Sequence, residues 1–110
     1  MYDAATKTVL LFAGWHGAYW DDTWSWNGTT WTQLSPATSP SGRDSAAFVY
    51  DPATSQMILF GGFRGTGFAP GDTWTWTGTT WVTCFITHPI GSVLEMHCSS
   101  SFLQPLSMYC

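Results

Sequence analysis

The sequence predicts an all-β chain built from two copies of one small antiparallel sheet. Three observations lead there. Aromatics make up 17% of the 110 residues, with eight Trp, while charged residues fall to 9%, against roughly a quarter in an average soluble domain. Trp, Thr, Val, Tyr and Phe suit a pleated, half-buried surface. The second observation is an internal repeat. MYDAATKTVLLF (1–12) lies over VYDPATSQMILF (49–60) with six identities in twelve, and DTWSWNGTTW (22–31) over DTWTWTGTTW (72–81) with eight in ten. The third is where the copies differ in length. The offset is 48 in the first block and 50 in the second, so the extra residues fall in the Gly-rich segments AGWHGAYWD (13–21) and GGFRGTGFAPG (61–71).

The complete copy justifies each element in turn. Residues 44–50, DSAAFVY, read as an innermost strand whose Ser45, Ala46 and Ala47 suit a crowded centre. Asp51-Pro52-Ala53-Thr54 is a turn, since Asp caps nearby backbone and Pro presets φ. Asp3-Ala4-Ala5-Thr6 repeats it without Pro. The runs QMILF (56–60) and TVLLF (8–12) are almost continuously apolar, which predicts strands buried on both faces. Gly61-Gly62 ends the strand where the chain bends or meets other backbone; Ala13-Gly14 stands there in the first copy. In DTWTWT (72–77) the residues alternate, with Trp74 and Trp76 on one face and Thr73 and Thr75 on the other. Trp24 and Trp26 do the same in the first copy. Asn27-Gly28 and Thr77-Gly78 predict tight hairpins into outer strands at 29–34 and 79–83. Each copy is thus a four-stranded antiparallel meander. Repeats of about fifty residues made of short strands point to propeller blades, because one twisted sheet cannot bury both faces alone and stacking neighbours covers them.

An apolar strand ending Leu59-Phe60-Gly61-Gly62, a Gly-rich loop, Asp72-Thr73-Trp74-Thr75-Trp76 and Trp81 on the last strand together resemble the kelch motif. The Tyr50-Asp51-Pro52-Ala53-Thr54 variant is similar to bacterial kelch or galactose-oxidase-like propellers. The resemblance spans residues 1–83. It implies a partial β-propeller of about two kelch blades, part of a ring of six or seven, and a binding platform in place of an enzyme. Further kelch blades of a parent chain are the implied neighbours. Galactose oxidase, an enzymatic member, holds copper with Tyr and His and carries a Tyr–Cys crosslink. Residues 1–83 contain one histidine, His16, and no Cys, so no oxidase activity, metal or cofactor is carried over.

Two departures from the pattern stand out. Met1 aligns with Val49, so residues 1–36 are expected to be a blade without its inner strand, and 37–83 a complete one. After Trp81 the chain runs VTCFITHPIGSVLEMHCSSSFLQPLSMYC, and all three Cys, two of three His and the one Glu lie within 84–110. This segment is expected to be an irregular, non-repeat tail, frameshifted or disordered, on a truncated or mis-joined chain. Three Cys (84, 98, 110) are an odd count without a recognisable spacing and predict no disulfide framework. Cys84, His88, His97 and Cys98 lack the paired knuckles of a zinc site.

The loops between second and third strands lie at one rim, beside the linker 35–43. The resemblance makes this rim the ligand-binding side, with Trp15, His16, Tyr19 and Trp20 on one loop and Phe63, Arg64 and Phe68 on the other. Aromatics with a few polar groups can stack on sugar rings or grip a protein partner. Trp24, Trp26, Trp31, Trp74, Trp76 and Trp81 recur at equivalent strand positions and are expected to pack blade on blade. Asp21, Asp22 and Asp72 are expected to cap turns, and Arg43 to reach a carboxylate or carbonyls between blades. Asn27-Gly28-Thr29 matches the N-glycosylation pattern.

Net charge is −4, with Lys7, Arg43 and Arg64 the cations, so no basic stripe for nucleic acid exists. No apolar run is long enough for a membrane span, and residues 1–12 have no signal-peptide pattern. Low charge and richness in Thr and Trp resemble secreted bacterial propellers. Protein or glycan binding through the rim leads; a scaffold fragment of a propeller enzyme, or a chain without independent function, is the alternative. Uncapped apolar faces predict self-association in isolation.

Overall fold

The structure, a computed structural model, describes residues 1–65, 71–87 and 95–99. Strands β1 (Tyr2–Asp3), β2 (Thr8–Trp15), β3 (Tyr19–Trp26) and β4 (Trp31–Leu34) form one antiparallel sheet in sequence order. Strands β5 (Ala47–Asp51), β6 (Gln56–Phe60), β7 (Thr73–Trp76), β8 (Trp81–Thr87) and β9 (Glu95–Ser99) form a second, again in order. The chain is all-β, as composition and repeat predicted, and the four-strand meander occurs twice.

The same side chains close the same turns in both sheets. Asp3 Oδ1 accepts the Ala5 amide at 3.0 Å and Asp51 Oδ1 the Ala53 amide at 3.0 Å. At the next hairpin, Asn27 Oδ1 accepts the Thr29 and Thr30 amides at 2.8 and 2.9 Å. Thr77 Oγ1 accepts the Thr80 amide at 3.2 Å in the second copy. Trp26 pairs with Trp31 and Trp76 with Trp81, so these connections hold four residues. They are two residues longer than the two-residue turn favoured by Asn-Gly, because the side-chain cap replaces a backbone turn.

Five expectations need correction. The inner strand of the first sheet is short, not missing: β1 pairs Tyr2 with Val9 and Asp3 with Thr8. The inner strand of the second begins at Ala47, since Asp44 bridges Phe63 and Ser45 turns the chain at φ +57. The segment after residue 83 is not irregular throughout. β8 continues to Thr87, carried by the β-prone run Phe85-Ile86-Thr87, and β9 pairs with it antiparallel. Cys84 and Cys98 stand directly opposite and form a disulfide; only strand register, absent from the bare spacing, brings them together. Finally, the apolar runs are not buried on both faces. Leu10, Met57 and Leu59 are buried, whereas Leu11 and Phe60 are about half exposed.

The two sheets stack face to face. Pairing and alternation put Phe48, Tyr50, Met57, Leu59, Trp74, Trp76 and Trp81 on one face of the second sheet. That face meets Leu10, Phe12 and Leu34 of the first. Trp81 is the keystone of this layer. Its ring lies 5.1 Å from Phe12, 5.3 Å from Trp76 and 5.9 Å from Phe48. Its indole N–H donates to Thr23 Oγ1 at 3.0 Å, so a buried polar group is satisfied across the sheets. The linker is threaded between the sheets. Thr38 O accepts the Trp81 amide and Arg43 O the Gly14 amide. A Cβ on Gly42 would lie 2.6 Å from Tyr19 O, so only glycine fits there.

Candidate rim site

At one end of the stack three segments meet: the β2–β3 hairpin, the linker and the loop after β6. The hairpin arm departs from regular pairing at Ala13, where the register shifts between Phe12 and Gly14. Ala13 takes φ +60, and its counterpart Gly61 takes φ +69. That left-handed conformation is natural for glycine and strained for alanine. Gly62 has a different constraint: a Cβ would fall 2.8 Å from Asp44 O. The bulge turns Trp15 and Trp20 toward solvent, and both are more than half exposed. With Ala13, Gly14, His16 and Asp22 they line a shallow depression of about 210 Å³.

The loop after β6 joins this hairpin through Tyr19. The Tyr19 and Phe63 rings lie 6.1 Å apart, and the Tyr19 ring packs so closely on Gly65 that a Cβ there would be 2.8 Å away. Arg64 donates to Ser41 Oγ at 2.7 Å. Six of the seven predicted rim residues are therefore at this end: Trp15, His16 and Trp20 around the depression, Tyr19, Phe63 and Arg64 where the loops meet. Phe68 lies outside the described residues.

Beneath the rim is an ion pair between a buried guanidinium and a partly exposed carboxylate. Arg43, 1% exposed, donates from Nη1 and Nη2 to the two carboxylate oxygens of Asp72 at 2.9 and 3.0 Å. It also donates to Gly61 O at 2.9 Å and Ser41 O at 3.0 Å. Trp74 Nε1 adds a bond to Asp72 Oδ2 at 2.7 Å. Burial pushes the Asp72 carboxyl upward, but the Arg43 and Trp74 hydrogen bonds and the Arg43 charge outweigh it. The net result is a pKa below the ordinary carboxylate value, in the manner of a charge-assisted bidentate pair. Arg43 thus reaches both a carboxylate and carbonyls. Asp72, expected to cap a turn, instead pairs with Arg43 and Trp74. Asp22 makes the matching bond to Trp24 Nε1, and among the described residues no cation pairs with it.

Several contributors escaped sequence reading. Ser41, Gly42 and Gly65 act through close approach between loops, and only the lone placement of Arg43 before the inner strand hinted at its partner. Among the described residues no cluster of three or more His, Cys, Asp or Glu could hold a metal. Cys84 and Cys98 are taken by the disulfide, and His88 lies outside the described residues. Among the described residues, no helix is long and apolar enough to cross a membrane. Compared with protein-family models, curated proteins and solved structures, the chain gives no match.

Proposed function

We propose that the chain forms two neighbouring blades of a kelch-type β-propeller and binds a glycan, without chemistry of its own, through the aromatic rim. Support for the blade reading comes from the repeated four-strand meander, the face-to-face stacking and the Asp-Thr-Trp-x-Trp strand in both copies. One observation carries the binding reading: Trp15 and Trp20, exposed on a shared depression with His16 and Asp22. A sugar ring offers an apolar C–H face and a rim of hydroxyls. Indole rings suit the first, and imidazole and carboxylate the second. The scarcity of charge favours a neutral ligand. The Cys84–Cys98 bond fits an oxidising compartment, in keeping with the likeness to secreted propellers.

A protein segment is the second reading, favoured by Phe63 and Arg64 where the loops meet, since aromatic and Arg anchors dominate protein interfaces. A glycan array followed by titration of the full chain separates the two. Trp15→Ala and Trp20→Ala are expected to weaken glycan binding about fivefold or more each, as loss of a stacking ring costs on the order of 1–3 kcal/mol, with the melting curve unchanged. Loss on Arg64→Ala alone would move the site to the loop junction and favour a protein ligand. Unchanged binding in all three variants would remove the rim as the site.

A further inference from the structure

The molecule holds a filled guanidinium socket in one sheet and an open copy of it in the other. In the second sheet, both carboxylate oxygens of Asp72 accept from Arg43. Trp74 Nε1 fixes that carboxylate, and Gly61 O accepts from Arg43 Nη1. The repeat sets the same parts in the first sheet. Asp22 stands for Asp72 and accepts the Trp24 indole N–H, as Asp72 accepts that of Trp74. Ala13 stands for Gly61, and φ +60 against +69 keeps the same left-handed backbone. The turn is thus kept even where alanine makes it strained. The cation is what differs: among the described residues none pairs with Asp22. Asp22 and Ala13 instead line the open depression of about 210 Å³, with Trp15 and Trp20 at its lip.

We propose that the depression at Asp22 binds an arginine side chain carried by another protein segment, as Asp72 binds Arg43. The planar guanidinium spans both carboxylate oxygens and stacks on indole faces; a lysine ammonium is a point charge and does the first poorly. A protein segment is the source because the template delivers its arginine on extended backbone. Asp44, next to Arg43, exchanges both main-chain bonds with Phe63 at 3.0 and 2.8 Å. The counterpart of Phe63 is Trp15, on the lip of the depression. The open socket is wetter than the closed one, so its pair is weaker and fades with salt. This inference goes beyond the glycan reading and does not rest on it. Each ligand has its own probe, so either can fail while the other holds.

The test follows the Trp24 indole N–H, bonded to Asp22, in proton–nitrogen NMR spectra of the full chain, with Trp24→Phe to assign it. The probe is a synthetic peptide of residues 39–45, SPSGRDS, which carries the template arginine. A saturable shift of the Trp24 signal is expected at low salt. The same peptide with citrulline, the neutral isostere, in place of arginine is expected to give none, and with lysine to bind about fivefold more weakly or worse. Asp22→Asn is expected to weaken the arginine peptide about tenfold or more, the worth of a charge-assisted hydrogen bond. An arginine peptide that leaves the Trp24 signal in place overturns the proposal. So does a citrulline peptide that binds equally well, a comparison made on the wild type and free of any folding defect. Undiminished binding to Asp22→Asn would likewise put the arginine elsewhere and overturn it.

Discussion

Trp31 and Trp81 occupy the same place in two near-identical strands, yet one is nearly half exposed and the other fully enclosed. The sheets around them share turn chemistry, register and the alternation of Trp with Thr or Ser. The difference is what lies against each. Trp81 has Phe12 and Thr23 of the other sheet beside it, while Trp31 has its cross-strand neighbour Trp26 at 5.4 Å. Asp22 and Asp72 form a second such pair. Both accept the indole N–H two residues on, and only Asp72 also holds a buried guanidinium. Equal local sequence therefore makes equal local structure, and unequal surroundings make the same residue a keystone or a surface ring.

The comparison can be broken most sharply at the two Trp. Trp81→Ala is expected to cost about 3–5 kcal/mol in urea unfolding, the range for emptying a packed aromatic site. Trp31→Ala is expected to cost about 1 kcal/mol or less. Equal losses would mean that the sheets do not stack as described.

The Asp pair is the next test. Arg43→Ala strands a carboxylate that is partly shielded from water, and a loss of roughly 2–4 kcal/mol is expected; the residual exposure of Asp72 keeps it below the full cost of a wholly buried pair. Asp22→Asn is expected to cost about 1 kcal/mol or less, as one hydrogen bond is all that changes. The pH dependence follows. Asp72 is held below its ordinary value when folded, so the unfolded chain binds the proton more readily. Its contribution is fully present above about pH 4, where the unfolded carboxyl is ionised, and is lost as pH falls through the folded pKa. Asp72→Asn is expected to flatten this acid limb in a series of unfolding curves. An unchanged limb in Asp72→Asn would assign acid sensitivity elsewhere.

The smallest effect sharpens the comparison at the bulge. Ala13→Gly is expected to stabilise by about 0.5–1 kcal/mol and Gly61→Ala to destabilise by about 1 kcal/mol, both seen as shifts in the melting midpoint. No atom lies within 4 Å of a Cβ built on Gly61, so backbone strain is the whole of the expected effect. Opposite signs at equivalent positions would tie both residues to one left-handed conformation.

Much of the fold was legible because it is local. Asp3, Asp51, Asn27 and Thr77 close their turns with atoms two or three residues away, and Thr-Trp alternation sets faces by period alone. Trp15 and Trp20 could be marked as rim residues because they flank a Gly-rich break in an apolar run. The Cys84–Cys98 bond, the β9 strand and the Arg43–Asp72 pair were not legible, since each depends on register or on loops meeting across the sheets.

By itself, the sequence determined most strands of the repeat, their turns, the doubling of the unit and which residues share a face; these follow from side-chain period and short-range hydrogen bonding. Only the tertiary structure decided which Trp is enclosed, which carboxylate is paired and which faces stay open. Burial belongs to the space between elements, and a residue carries no record of its distant neighbour.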